Sequence, residues 1–149
     1  MSEEPIGIPN NLMPYIAQVA DGWREHLNVF GNVYKTVDGT GARNCIYIVD
    51  LLVAHIKALQ NQLNLNEFEV INIGTGKCIT VLELIKSFEE ISGISINYRI
   101  CPRQSGDLPA FWANQSNAFE LLGWKPKNGI EQMCKDTWWW QRKNLRGYS

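Results

Sequence analysis

The sequence predicts an α/β fold whose sheet is incomplete. Short β-type runs alternate with helical stripes along the 149 residues, which places the chain in the α/β class. The strands are short and the crossovers few, so the pattern does not complete a doubly wound sheet. Helix punctuation is clear at several points, and about five helices can be placed.

The first helix lies in "IPNNLMPYIAQVADGW". Its apolar positions, Leu12, Met13, Ile16, Val19, Ala20 and Trp23, follow helical spacing, with Asn10 or Asn11 as the N-cap. "LNVFG" (27–31) reads as a short strand and "KTVDGTGAR" (35–43) as a polar loop. "NCIYIVD" (44–50) reads as a strand. Asp50 then caps a helix striped by Leu51, Ala54, His55 and Ala58. "NQLNLNEF" (61–68) is a loop and "EVINI" (69–73) a strand. Thr80 and Glu83 form a T-x-x-E capping box; Leu84, Ile85, Phe88 and Ile91 make the stripe, and Gly93 stops the helix. "SINYRIC" (95–101) is a strand, 101–114 a loop, and "SNAFELLGW" a short helix ended by Gly123. The last helix runs from about Ile130 to Lys143, with Ile130, Cys134 and Trp138 on its core side. Trp139 and Trp140 point elsewhere, because successive helical residues turn by about 100°.

Bulk properties exclude several classes. A net charge of -1 provides no field for nucleic acid or anionic lipid. No apolar run reaches the roughly 18 residues of a membrane span, and no basic-plus-apolar leader opens the chain. The four cysteines, Cys45, Cys78, Cys101 and Cys134, show no C-x-x-C, and His26 and His55 are not at ligand spacing from them. The expectation is a cytoplasmic protein with reduced thiols and no metal. The six tryptophans call for a large core or a large partner surface.

"VINIGTGKCIT" (70–80) has the look of a phosphate loop, but its spacing fails. A Walker loop would place Ser or Thr where Cys78 stands. A dinucleotide fingerprint would place a third glycine where Ile79 stands, with an acid about 20 residues on. The reading is a tight turn into a helix. Arg43 and Arg103 are better anion candidates, since each lies beside a predicted strand end and a guanidinium presents a planar fork to phosphate oxygens.

Taken together, "GIPNNLMPYIAQVA", "LNVFGN", "DGTGAR", "INIGTGK", "PRQSGDLPAFWA", "LGW" and "WWWQRKN…GY" resemble the C-terminal part of the UDP-glucose 4-epimerase family, within the extended short-chain dehydrogenase/reductases. The resemblance runs the length of the chain. It implies the smaller, substrate-binding part of a two-part fold whose N-terminal Rossmann half binds NAD. In that family a Y-x-x-x-K tyrosine takes the proton from the sugar 4-hydroxyl while NAD takes hydride from C4; the keto sugar turns over and is reduced on its other face. Here none of Tyr15, Tyr34, Tyr47, Tyr98 and Tyr148 has a lysine four residues on, and the NAD loop is lacking. No catalytic or cofactor-binding residue is therefore assigned.

What the resemblance implies instead is a grip on UDP-glucose or UDP-galactose. Asn11 and Leu12 fall near the diphosphate, at a helix N-terminus that suits an anion. Asn28, Val29 and Phe30 flank the uracil, Arg43 holds a phosphate, Asp107 accepts from the ribose, and Phe111 lines the sugar pocket. Two departures bear on this grip. The family's V-R-D-Y-I-H is Ala42-Arg43-Asn44-Cys45-Ile46-Tyr47, and its P-R-R-x-G-D is Pro102-Arg103-Gln104-Ser105-Gly106-Asp107. Gln104 replaces the arginine that in the family reaches the diphosphate, and Arg103, whose position points differently, is left to compensate, so weakened binding is expected. Three readings stay open: an epimerase part that works with a separate N-terminal half, a non-catalytic UDP-sugar-binding module, and an inert remnant of a split gene. A homodimer is also compatible.

Overall fold

The computed structural model describes residues 8–65 and 68–144. Asn66 and Glu67 of the predicted loop, the start of the chain and the terminal Gly147-Tyr148 lie outside the described residues. Among the described residues, five α-helices and five short strands follow in the order α1 (Leu12–Ala20), β1 (Leu27–Phe30), β2 (Ala42–Arg43), α2 (Ile48–Gln60), β3 (Ile79–Thr80), α3 (Val81–Ser92), β4 (Tyr98–Cys101), β5 (Ala110–Phe111), α4 (Ser116–Leu122) and α5 (Ile130–Lys143), with one 3-10 turn at Gln62–Asn64. The α/β class, the short strands and the five helices are as the sequence predicts.

The strands form two small sheets. β1 and β4 run parallel, with Leu27 opposite Tyr98 and Phe30 opposite Cys101. β2 is the middle of the other sheet, antiparallel to β3 and parallel to β5. Alternation along β1 sends Leu27 and Val29 into the core. They meet Ile16, Ala17 and Val19 of α1, Leu84, Ile85 and Phe88 of α3, and Cys134 of α5. Trp138 packs edge-on against Phe88, with centroids 5.9 Å apart. Trp140 is buried, whereas Trp139 is exposed beneath the Lys143 ammonium.

The predicted caps hold at α3. Thr80 accepts the Glu83 amide, Glu83 accepts the Thr80 amide, and Gly93 closes the helix at φ 71°. Thr80 also donates to Asp38, whose other oxygen takes the amide and hydroxyl of buried Thr40. The polar loop before β2 is thereby tied to the start of α3. Burial pushes the Asp38 carboxyl up, but the bonds from Thr80, Thr40 and the backbone outweigh it and hold the group below its ordinary value.

A second, smaller core of Ala54, Ala118, Leu122 and Trp124 joins α2 to α4. Buried Asp50 locks it. Its carboxylate accepts the amides of Lys127 and Asn128 at 2.9 and 2.8 Å and the Asn128 side chain at 2.9 Å, while the Trp124 indole donates to its carbonyl.

Three expectations are corrected. The run 44–50 is not a strand: only Ala42 and Arg43 pair, and α2 already begins at Ile48. A short apolar run reads alike as strand or buried helix. The N-cap of α2 is Tyr47; Asp50 sits in the first turn and turns inward. The run 69–73 joins neither sheet; among the described residues no strand lies beside it, and a ladder needs a neighbour.

Removing the Asp50 carboxylate strips three bonds and leaves two amides without partners. Asp50→Ala is expected to cost about 3 kcal/mol, read as a lower urea midpoint at unchanged slope. Asp38 gives a pH signature. Its folded-state value is depressed, so its contribution is complete above the unfolded value and lost as pH falls from about 4 through the folded value. The melting temperature of the wild type should drop more between pH 6 and pH 3 than that of Asp38→Asn.

Candidate functional site

Four of the nine residues singled out from the sequence, Arg43, Arg103, Asp107 and Phe111, meet through direct contacts or strand pairing. Arg43, at the end of β2, reaches across to the loop before β5. Its Nη2 donates to Asp107 Oδ1 at 3.1 Å, and its Nη1 to the carbonyls of Leu108 and Ala42 at 3.0 and 2.9 Å. Both side chains of the ion pair are partly solvated, so its contribution to stability is small. Its value lies in aim: the fork is held in one orientation. Arg103 donates from Nη2 to the Asp107 carbonyl at 3.4 Å and lies over the Tyr34 ring, 4.1 Å from the centroid. Phe111 pairs with Arg43 across the β2–β5 ladder and is exposed. Phe30, at the end of β1, is exposed on the side away from the core.

The remaining four, like Phe30, stand apart from this group. The Asn28 side chain accepts from Arg99 Nε at 2.7 Å on the exposed β4 neighbour. Val29 is buried in the main core, so only its backbone can face a ligand. Asn11 is the N-cap of α1, yet its side chain makes no cap bond, and Leu12 packs partly on the core. Leu12 and Met13 carry first-turn amides; Pro14 carries none.

The glycine turn is occupied by the protein itself. Asn44 Oδ1 accepts the Thr75 amide at 3.2 Å and the Thr75 hydroxyl at 3.4 Å. The helix that follows is closed by its Thr80–Glu83 box. An amide already paired and a helix start already capped do not fit a dinucleotide pyrophosphate, so these residues assign NAD no seat here. Tyr47, where the family pattern has histidine, donates its hydroxyl to Asp136 of α5. That bond, ahead of burial and nearby carboxylates, pushes the phenol above its ordinary range. Burial, then Cys45, pushes the Cys134 thiol up to about 12. The four cysteines are free.

The family model described as GDP-mannose 4,6 dehydratase matches residues 2–137. The chain belongs to this family. Within it the chain is a homologue of UDP-glucose 4-epimerase. It is 49% identical over 148 residues to the Bacillus subtilis (strain 168) enzyme, matching 99% of this chain and 44% of that one. Identity to the Homo sapiens enzyme is 47%, over 99% of this chain and 42% of the relative. The chain thus spans less than half the length of these relatives. Among solved structures, the UDP-glucose 4-epimerase of Stenotrophomonas maltophila, with bound NAD and formylated UDP-arabinopyranose, superposes with a TM-score of 0.92 at 45% identity, over 96% of this chain and 43% of that one. The Bifidobacterium longum enzyme, in complex with NAD+ and UDP, also superposes with a TM-score of 0.92, at 41% identity, over 99% and 44% of the two chains.

In this epimerase homologue, three contacts of the site were not legible in the sequence. Tyr34 under Arg103, the Leu108 carbonyl under Arg43, and Arg99 on Asn28 join residues distant along the chain, and no local pattern signals them. Asn44 stands where the family pattern has aspartate, and its acceptor oxygen holds the glycine turn. Its Nδ2 is buried without a partner. Asn44→Asp should therefore keep the Thr75 amide protected from hydrogen exchange, whereas Asn44→Ala should speed its exchange about five-fold, the equivalent of about 1 kcal/mol.

Proposed function

We propose that this chain is the UDP-sugar-binding part of a UDP-glucose 4-epimerase, and that turnover needs a nucleotide-binding half carrying the NAD seat and the catalytic base. The observation that carries the reading is the oriented Arg43 fork on Asp107, beside exposed Phe111 and Arg103. A guanidinium fixed by neighbouring carbonyls meets a phosphate with little further loss of freedom. Asp107 then faces the ribose hydroxyls, Asn28, the Val29 backbone and Phe30 flank the uracil, and Asn11 and Leu12 bring a helix N-terminus to the diphosphate. The sugar lies against Phe111. By itself the chain is inactive. Its setting is the cytoplasm, where its thiols stay reduced.

The need for a second half is supported by α2. Its buried stripe, Asp50, Ala54 and half-buried Ala58, faces the second core. The opposite side carries Ile48, Val49, Leu52, Val53, Ile56 and Leu59, all exposed. A helix apolar on two opposite sides calls for a cover on both. The run 69–73 borders α2 on its core side, with Ile71 and Ile73 lining a cleft of about 480 Å³ against α2 and α4. None of Arg43, Arg103 and Asp107 lines that cleft. The exposed apolar side of α2 is the docking face for the Rossmann half, and the run 69–73, on the cleft side of the helix, is a strand awaiting its sheet; a second copy of the chain is the competing occupant.

Calorimetric titration with UDP tests the grip. The chain should bind UDP, and Arg43→Met should abolish the heat. Gln104→Arg should tighten binding roughly 10- to 100-fold, because a charge-assisted bond contributes about 1.5–3 kcal/mol. Absence of binding by both the wild type and Gln104→Arg would remove the reading. Mixing the chain with an epimerase N-terminal half and NAD should convert UDP-galactose; a binder that never converts it is the non-catalytic module instead.

A further inference from the structure

We propose that Tyr34 is a positioning residue for Arg103, and that the stacked pair makes Arg103 the second cation of the diphosphate seat, where Gln104 supplies no charge. This rests on the UDP-sugar reading above, and it concerns the pyrophosphate group of a nucleoside diphosphate.

Arg103 is exposed, and an exposed arginine ordinarily samples many rotamers. Here it is held at three points. Its guanidinium carbon lies 4.1 Å from the Tyr34 ring centroid, within cation–π range. Its Nη2 donates to the Asp107 carbonyl. Its stem lies over Gly31, where an added Cβ would stand 2.6 Å from Arg103 Cγ and 2.6 Å from Tyr34 Cε2. Gly31 also has φ +82°, which strains any side chain. The seat for the arginine stem is therefore available only to glycine.

Tyr34 is a rigid platform. It is 6% exposed, and its amide donates to the Gly39 carbonyl at 2.8 Å. Its hydroxyl is buried without a partner. An orphan hydroxyl costs stability, so the tyrosine is not kept in place by that group; the ring face is what meets Arg103.

Asp107 then joins two guanidiniums. Arg43 takes its carboxylate and Arg103 its carbonyl, and one negative charge faces two positive ones. The excess positive charge lies at the end of β1 and β2, where the proposed diphosphate crosses. Gln104 leaves that excess one charge short of the family pattern, and Arg103, at the adjacent position, is the cation that remains beside Arg43.

The test is calorimetric titration of the full chain with inorganic pyrophosphate, UDP and uridine at low ionic strength. Arg103→Met should weaken pyrophosphate and UDP about ten-fold or more and leave uridine unchanged. Tyr34→Leu should weaken pyrophosphate and UDP about three- to five-fold. Tyr34→Phe, which keeps the ring face and drops the orphan hydroxyl, should match the wild type. Unchanged pyrophosphate affinity in Arg103→Met overturns the proposal, whether or not Tyr34→Leu folds. So does a loss in Tyr34→Phe as large as in Tyr34→Leu, or a wild type that does not bind pyrophosphate. Pyrophosphate binding without UDP binding would remove the UDP-sugar reading while leaving this pair in place.

Discussion

The arrangement of the site depends on a strand of two residues. Ala42 is buried and pairs with Thr80 on one side and Ala110 on the other; Arg43 pairs with Ile79 and Phe111. This pairing brings the start of α3, the loop after β4 and the loop before α2 to one place. Without it, Arg43 and Asp107 are ends of unconnected loops. The strand is too short to be stable alone, since ladders gain stability by extension and by packing. It is held from outside, by Asp38 between Thr40 and Thr80 and by the Asn44 amide on the Phe111 carbonyl.

Two cores share the remaining work unequally. The core of α1, β1, α3 and α5 is closed: Ile16 and Phe88 are fully buried, and Trp138 seals the Phe88 edge. The core under α2 and α4 is open. It is tied by polar bonds as much as by apolar contact, with Asp50 clamping the α4–α5 connection and Lys57 donating to the carbonyls that end α4. Such bonds fix orientation well but cover little apolar surface. The outer side of α2 stays in water, and the proposal of a second half rests on that exposed apolar side as well as on similarity.

The helices were legible because their signals are local. A capping box, a stop glycine and a 3.6-residue stripe all act within one or two turns, and α3 matches its expected start and stop. The run 44–50 was misread because Ile46 to Val49 suits a strand as well as a buried helix. The run 69–73 was misread for a different reason. Its residues are strand-like, but a strand exists only beside another, and among the described residues nothing pairs with it. At the site, the residue types of Arg43, Arg103, Asp107 and Phe111 drew attention on chemistry and resemblance. Tyr34 did not, since an aromatic residue in a polar loop has no signature of its own.

By itself the sequence determined the class, the helix boundaries at α3 and α4, and the absence of any fitting phosphate loop in "VINIGTGKCIT". These follow from spacing along the chain. Only the tertiary structure decided that Arg43 aims at Asp107, 64 residues away, that Arg103 lies on Tyr34, and that Asn44 fills the glycine turn. The physical reason is range. Periodicity and capping are set by neighbours within a few residues, whereas a salt bridge, a ring stack and a ladder between distant strands form only once the whole chain has closed around them.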